Sequence, residues 1–342
     1  MPGTHENGAF VKILITGGAG FLGKRLAKHL LQSGVFQLDG KEPHNIEKIT
    51  LFDASPRENL PEDSRIEFDA GDISDHAAVE RAAEGADLCW HLAAVLSGGA
   101  EAEFDLGMRV NVSGMLVLLE ILRAAHSRPR LVSTSSVAVY GSNTARLVTD
   151  QTPLTPQSSY GTQKAIGELL VADYSRKGFI DGRSVRLPTI TVRPGKPNRA
   201  ASGFASSIVR EPLSGVATVC PVRKESQMYV ASPRMAVESL VRAMQLSDAS
   251  LGTERSILLP GITVSVAEMV DALERVAGHE AAGRISWEMD PMVQRLVDSW
   301  PTHVRAERAM ALGFQADPDF DSIIRAHIED ELMPARLEQN RS

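Results

Sequence analysis

The chain has 342 residues, 43% of them apolar and 23% charged, enough to bury one large core or two interlocked ones. A net charge of −7, with basic residues scattered, argues against nucleic acid and against an anionic membrane surface as partners, and no apolar run approaches the ~18 residues of a membrane helix. The polar start, Met1 to Gly8, reads as a loose tail without a signal-peptide core; Cys89 and Cys220 form neither a disulfide framework nor a metal spacing, so a cytoplasmic, metal-free protein is expected.

Val11 to Thr16 predicts a buried strand, and 21–33 predicts the helix that follows. Between them Gly17, Gly20 and Gly23 form a G-x-x-G-x-x-G turn rather than G-x-G-x-x-G. In a strand–turn–helix context such a turn holds a dinucleotide pyrophosphate on free N–H groups, at the positive end of a helix. Gly17 permits the tight turn, Gly20 lets backbone approach phosphate, and Gly23 lets helix pack on strand. The polar stretch Gln37 to Glu47 reads as an insertion before the next strand, 48–53. That strand ends at Asp53, whose carboxylate can take both adenosine ribose hydroxyls and repel a 2′-phosphate; NAD is expected over NADP. Two alternatives stay open. Asp53 can simply cap the segment after it, and Lys24 and Arg25 leave room for NADP.

Strands at 65–68, 87–92, 130–135 and 183–190, with helices at 76–83, 102–126 and 158–178, continue the alternation. This order predicts an α/β, Rossmann-like, doubly wound parallel sheet covered on both faces. A periodic helix, Met235 to Leu246, and a late strand within Arg255 to Gly261 return to the sheet. The nucleotide-binding domain is thus expected at 9–190 plus about 231–261, and a smaller C-terminal substrate lobe at 191–230 plus 262–340. In the helix over 158–178, Tyr160 and Lys164 fall one turn apart on one face. An ammonium there favours ionisation of a phenol whose ordinary pKa is about 10. A surface helix pair is the plainer alternative.

Taken with further motifs, the chain resembles the extended short-chain dehydrogenase/reductases, the group of nucleotide-sugar epimerases and dehydratases. The resemblance rests on the glycine turn, on Gly71-Asp72-Ile73, on His91-Leu92-Ala93-Ala94 and on Asn111-Val112-Ser113-Gly114. It also rests on Ser135 through Gly141, on the Tyr160/Lys164 pair, and on Arg305-Ala306 with Leu312-Gly313-Phe314. It implies that Tyr160 is the general base in oxidation, that Lys164 supports the phenolate and reaches the nicotinamide ribose, and that Ser136 orients the substrate. Ser135 and Thr134 are the neighbouring choices for that hydroxyl. Cofactor contacts would come from Gly17, Gly20, Phe21, Leu22, Gly23, Asp53, Asp72, Ile73, Leu92, Ala93, Ala94, Asn111, Tyr160, Lys164 and Pro188. Asp72 would meet the adenine amine. Pairing of the two long helices, 102–126 and 158–178, would give a homodimer.

Departures from the family pattern narrow the chemistry. The Asp-Glu pair by which dehydratases remove water is replaced by Val137 and Ala138. Thr189 stands where an Asn usually seats a diphosphate, and the family's V-D-D becomes Val230-Ala231-Ser232. These altered segments resemble a subgroup that oxidises a four-carbon sugar acid, D-erythronate, at C2 with NAD. Such a small anionic substrate needs a cation and hydroxyl partners. Arg193 can take the carboxylate, with Lys196, Arg223 and Lys224 as rivals; Ser97, Ser136 and Thr189 can meet hydroxyls. Arg186 falls within a strand and reads as structural. A nucleotide-sugar 4-epimerase is the first alternative. A non-enzymatic dinucleotide sensor is the second, although sensors of that kind typically lose the Tyr/Lys pair.

Overall fold

The structure is a computed structural model; it describes residues 9–334 except 57, 142–146 and 196–201. The expectations on the tail 1–8, on Lys196 and on 335–340 lie outside these residues. Strand β1 (Phe10–Thr16) sits at the centre of the main sheet, with Ile13, Leu14 and Ile15 buried. β2 is Val35–Phe36, β3 His44–Asp53, β4 Ile66–Ala70, β5 Leu88–His91 and β6 Arg130–Ser136. β7 is Val148–Thr149, β8 Asp181–Leu187, β9 Thr189–Ile190, β10 Thr218–Cys220, β11 Gln227–Ala231 and β12 Ser256–Leu258. The parallel order is β4-β3-β1-β5-β6-β8-β12, with β2 antiparallel against the start of β3. This is the expected doubly wound sheet.

Successive strand residues face opposite sides of a sheet, and both sides here are apolar. Ile13, Ile15, Trp90 and Val132 belong to one core with Leu26 and Leu30 of α1 (Phe21–Ser33) and with Leu240 and Met244 further along the chain. Leu14, Cys89 and Leu131 belong to the other, with Val79 of α2 (His76–Ala82) and Leu118 and Leu122 on a later helix. Each fully buried side chain contributes roughly 1.5–3 kcal/mol, which explains why these strands read as continuous apolar runs.

Three elements differ from expectation, each for a local reason. β3 begins at His44, inside the polar stretch, because Val35 and Phe36 pair with Asn45 and His44 and because Ile46 is buried. The helix expected over 102–126 is broken into α3 (Ser97–Ala102), α4 (Phe104–Gly107), a π-helical turn at Met108–Ser113 and α5 (Gly114–Ala124). The strand expected over 183–190 divides at Pro188, which has no N–H to continue the ladder. β8 stays in the main sheet. β9 passes to a second sheet, where it pairs with β11, itself antiparallel to β13 (Ile262–Ser265).

A separate core forms around that second sheet. It joins Val192, Val230 and Val264 to Phe204 and Ile208 of the helix Gly203–Leu213 and to Met269, Leu273, Ile323 and Ile324. Pro188 therefore stands where the chain crosses from one core to the other. No helix among the described residues is long and apolar enough to cross a membrane.

Candidate active site

The glycine turn closes over the carboxyl end of β1. Gly17 has φ +70, and a Cβ on it would lie 2.7 Å from Ala93 N; one on Gly23 would lie 2.4 Å from the Gly17 carbonyl. Side chains are thus excluded where a pyrophosphate has to approach. Gly20 is the N-cap of α1 and gives it no side-chain cap, so the first N–H groups, at Phe21, Leu22 and Gly23, are left for an anion. The cradle fits a dinucleotide. Asp53 ends β3 beside it: Oδ2 accepts from Ala19 N at 3.0 Å and Oδ1 from Ser55 N at 2.8 Å. The capping alternative is thus realised, and the two bonds hold the carboxylate at the turn. Arg25 is turned away from it, paired with Asp330 at 3.0 Å and with Glu331, whereas Lys24 Nζ lies 3.4 Å from the Glu58 carbonyl.

The remaining cofactor candidates line the same edge in different ways. Asp72 bonds Ser74 N and Oγ at 2.9 and 2.7 Å and pairs with Arg109. Burial alone would raise its pKa, but these bonds hold the carboxyl below its usual range. Ile73 packs under Gly114. Leu92, Ala93 and Ala94 are half-buried after β5, with Leu92 N bonded to the Thr16 carbonyl at 3.0 Å. Asn111 is drawn inward by the π turn. It accepts from Val95 N at 2.8 Å and donates to Val95 O at 3.0 Å and to Gln163 Oε1 at 2.7 Å. Its amide is spent on the loop after β5, so it positions that loop. Pro188 packs near Gly261.

The proton-transfer candidates come from β6 and from α6 (Ser159–Arg176). Ser158 caps α6, accepting from Gly161 N at 3.1 Å. A Cβ on Gly161 would lie 2.2 Å from the Ala138 carbonyl, so only glycine lets the first turn of α6 press on the turn that follows Ser136. Tyr160 is half-buried. Lys164 Nζ lies 5.7 Å from its ring centroid and donates to the Thr134 carbonyl at 2.8 Å. Burial pushes the Tyr160 phenol up to about 12, opposed by the Arg193 guanidinium. Burial draws Lys164 down to about 8, opposed by Glu168. His91, bonded through Nδ1 to Thr16 Oγ1 at 2.8 Å, is held neutral by burial and by Lys164, near 3.

The three hydroxyls of β6 separate clearly. Thr134 Oγ1 donates to the His91 carbonyl at 3.2 Å, and Ser135 Oγ donates to Glu168 Oε1 at 2.5 Å. Ser136 Oγ accepts from Ala138 N at 3.2 Å, which leaves its own proton for a guest. Glu168 was not singled out from the sequence. It accepts from Arg186 Nε at 2.9 Å and Nη2 at 2.7 Å, while Arg186 Nη1 donates to Tyr140 Oη at 2.7 Å. This buried pair ties α6 to β8. Its signal was available: Tyr160, Lys164 and Glu168 recur every four residues.

Of the substrate-side candidates, Arg193 meets the site electrically: it is the charge that acts on the Tyr160 phenol. Its Nη2 donates to Ser202 Oγ at 3.0 Å, and among the described residues it has no carboxylate partner. Arg223 is different. Its guanidinium is exposed and grips Asp298 with two 2.9 Å bonds, which leaves it little reason to hold a substrate. Lys224 lies 5.0 Å from the Trp287 ring centroid. Ser97 opens α3 and Thr189 pairs with Val230, both half-buried. Among the described residues no three His, Cys, Asp or Glu side chains gather as metal ligands.

Comparison with known proteins agrees with this architecture. The sequence profile of the NAD dependent epimerase/dehydratase family matches residues 13–244. D-erythronate dehydrogenase of Cupriavidus necator is 53% identical over 321 residues, which cover 94% of this chain and 98% of that protein. D-erythronate dehydrogenase of Haemophilus influenzae is 41% identical, over 94% of this chain and 100% of its own. A crystal structure described as the nucleoside-diphosphate-sugar epimerase from Agrobacterium tumefaciens superimposes with a TM-score of 0.89 at 41% identity, covering 97% of this chain and 98% of that one. The chain is an NAD-dependent enzyme and belongs to the NAD dependent epimerase/dehydratase family.

Proposed function

We propose that the protein oxidises D-erythronate, or a sugar acid very close to it, at the C2 hydroxyl. The observation that carries this reading is Arg193: a guanidinium without a carboxylate partner among the described residues, acting on the Tyr160 phenol. A carboxylate gripped there puts the adjacent hydroxyl next to the phenol, as a small 2-hydroxy acid requires. The names of the Cupriavidus and Haemophilus relatives support it. In the reaction Tyr160, as phenolate, takes the C2 hydroxyl proton, and the C–H electron pair leaves C2 as hydride. NAD, when bound, would supply the hydride acceptor and, in its oxidised form, a further positive charge beside the phenol. Gly17, Gly20, Phe21, Leu22, Gly23 and Asp53 would hold the cofactor, and Lys164 would keep an ammonium beside the phenol. Ser136 donates to the reacting oxygen, and Thr189 and Ser97 meet the outer hydroxyls.

The alternative is nucleotide-sugar 4-epimerisation, favoured by the description of the Agrobacterium structure. Against it stands Thr189 in place of a diphosphate-seating amide. The experiment is direct. The protein is incubated with NAD and a panel of aldonic acids, following absorbance of NADH, with UDP-sugars in parallel. Rapid NADH formation from a four-carbon acid supports the dehydrogenase; interconversion of UDP-glucose and UDP-galactose with no acid oxidised supports the epimerase.

Three coarser readings accompany this one. The substrate lobe comprises 191–230 and 262–340, and the second core lies within its described residues. The protein is a homodimer paired through α5 and α6, where Leu116 and Leu169 are exposed apolar side chains. It works in the cytoplasm, where the free, buried Cys89 and Cys220 are at home.

A further inference from the structure

Arg193 is held on three sides by α7 (Gly203–Leu213) and its N-cap. Its Nη2 donates to Ser202 Oγ at 3.0 Å, its backbone N–H to Ser206 Oγ at 3.0 Å, and its carbonyl accepts from Arg210 Nη1 at 2.7 Å. Ser202, Ser206 and Arg210 recur every four residues and so share one helix face. Thr191 extends the same ladder, donating to the Ala205 carbonyl at 3.1 Å. Arg210 is itself fixed: it is largely buried, and Nη2 donates to Glu211 Oε1 at 2.5 Å.

Two guanidiniums thus occupy one short stretch, and of the two only Arg210 has a carboxylate among the described residues. Arg193 has five N–H donors, of which Ser202 accepts one. We propose that Arg210 is a positioning residue for substrate charge: it fixes the backbone of Arg193 so that this guanidinium offers its remaining donors to a carboxylate at the Tyr160 site. The inference rests on Arg193 being the carboxylate anchor. Burial and the neighbouring Arg210 charge make the Arg193 cation costly, and an anion relieves that cost where a neutral guest does not. Fixing the anchor beforehand also lowers the ordering cost of binding.

The test uses the full-length protein with NAD and 3,4-dihydroxybutanoate, which carries the carboxylate but no C2 hydroxyl, as competitive inhibitor of D-erythronate oxidation. Arg210→Met should raise the inhibition constant about tenfold, the loss of a hydrogen bond to a charged group. KM for the acid should rise in parallel, with kcat falling by a smaller factor. Arg210→Lys keeps a donor and a charge and should recover most of the loss. Arg193→Ala should raise the constant further. An unchanged constant in folded Arg210→Met, with Arg193→Ala impaired, overturns the role of Arg210 and leaves that of Arg193. No effect of Arg193→Ala overturns both. Equal losses in kcat and NAD binding, not rescued by lysine, overturn the inference in favour of a purely structural role. If Arg210→Met does not fold, Ser202→Ala decides: a few-fold rise supports the ladder and no rise overturns it.

Discussion

At the scale of single residues, the proposed chemistry turns on how an acid as weak as Tyr160 gives up its proton. Burial holds the phenol up near 12, and Arg193 is the charge that works against it. Lys164, drawn down to about 8, adds its ammonium only below that value. The oxidation rate should therefore rise with pH from neutrality as phenolate accumulates, and decline once Lys164 loses its proton. Tyr160→Phe should cost at least about 10³-fold in kcat, removing the base, while NAD affinity changes little; cofactor binding by fluorescence titration separates the two. Asp53→Ala should weaken NAD and narrow its preference over NADP, measured as the ratio of kcat/KM values. Gly17, Asp53, Tyr160 and Lys164 could be singled out as candidates in the sequence because each sits in a short motif. Arg223 could not be ranked against Arg193 from the sequence, which does not display Asp298, 2.9 Å from its guanidinium.

Among the elements, α6 carries the candidate site on one face. Tyr160, Lys164 and Glu168 stack along it, and the Glu168–Arg186 pair fastens it to β8. Glu168 also raises Lys164 toward its ordinary value. Glu168→Gln keeps the shape and strips the charge, so Lys164 should lose its proton at lower pH and the alkaline limb of kcat/KM should move down the pH scale. A purely structural Glu168 would change stability and leave the profile where it is. Gly161→Ala would place a methyl 2.2 Å from the Ala138 carbonyl and lift α6 from β6. The helix and its two motif residues were readable from spacing. The π turn at Met108–Ser113 was not, because its signal is a tertiary bond: Asn111 reaching Val95. The divided strand at Pro188 was announced by a proline that the expected strand simply ran through.

Across the whole molecule, most of the main sheet was legible because its central strands are buried on both faces, whereas β2 and β7 have two residues each and β10 three, too short for periodicity to register. The polar interior shows why the fold should dislike acid. His91 is held near 3 by burial and Lys164, and His327 near 4 by burial, Arg25 and Arg210; neither His327 ring nitrogen has a partner among the described residues. Both values lie below the ~6.5 of an unfolded histidine, so the unfolded chain binds protons first and stability falls as pH drops through that value toward 4. Each histidine contributes on the order of 2 kcal/mol of this loss by pH 5. Urea unfolding at pH 7 and pH 5 should show it, and His327→Phe should flatten the slope. Oxidation of a four-carbon acid at C2 is tested by hydrogen transfer from D-erythronate deuterated at that carbon. Oxidation at C2 predicts one deuterium in every reduced cofactor formed. Reduced cofactor without deuterium, or no reduction at all alongside interconversion of UDP-glucose and UDP-galactose, would rule out oxidation at C2.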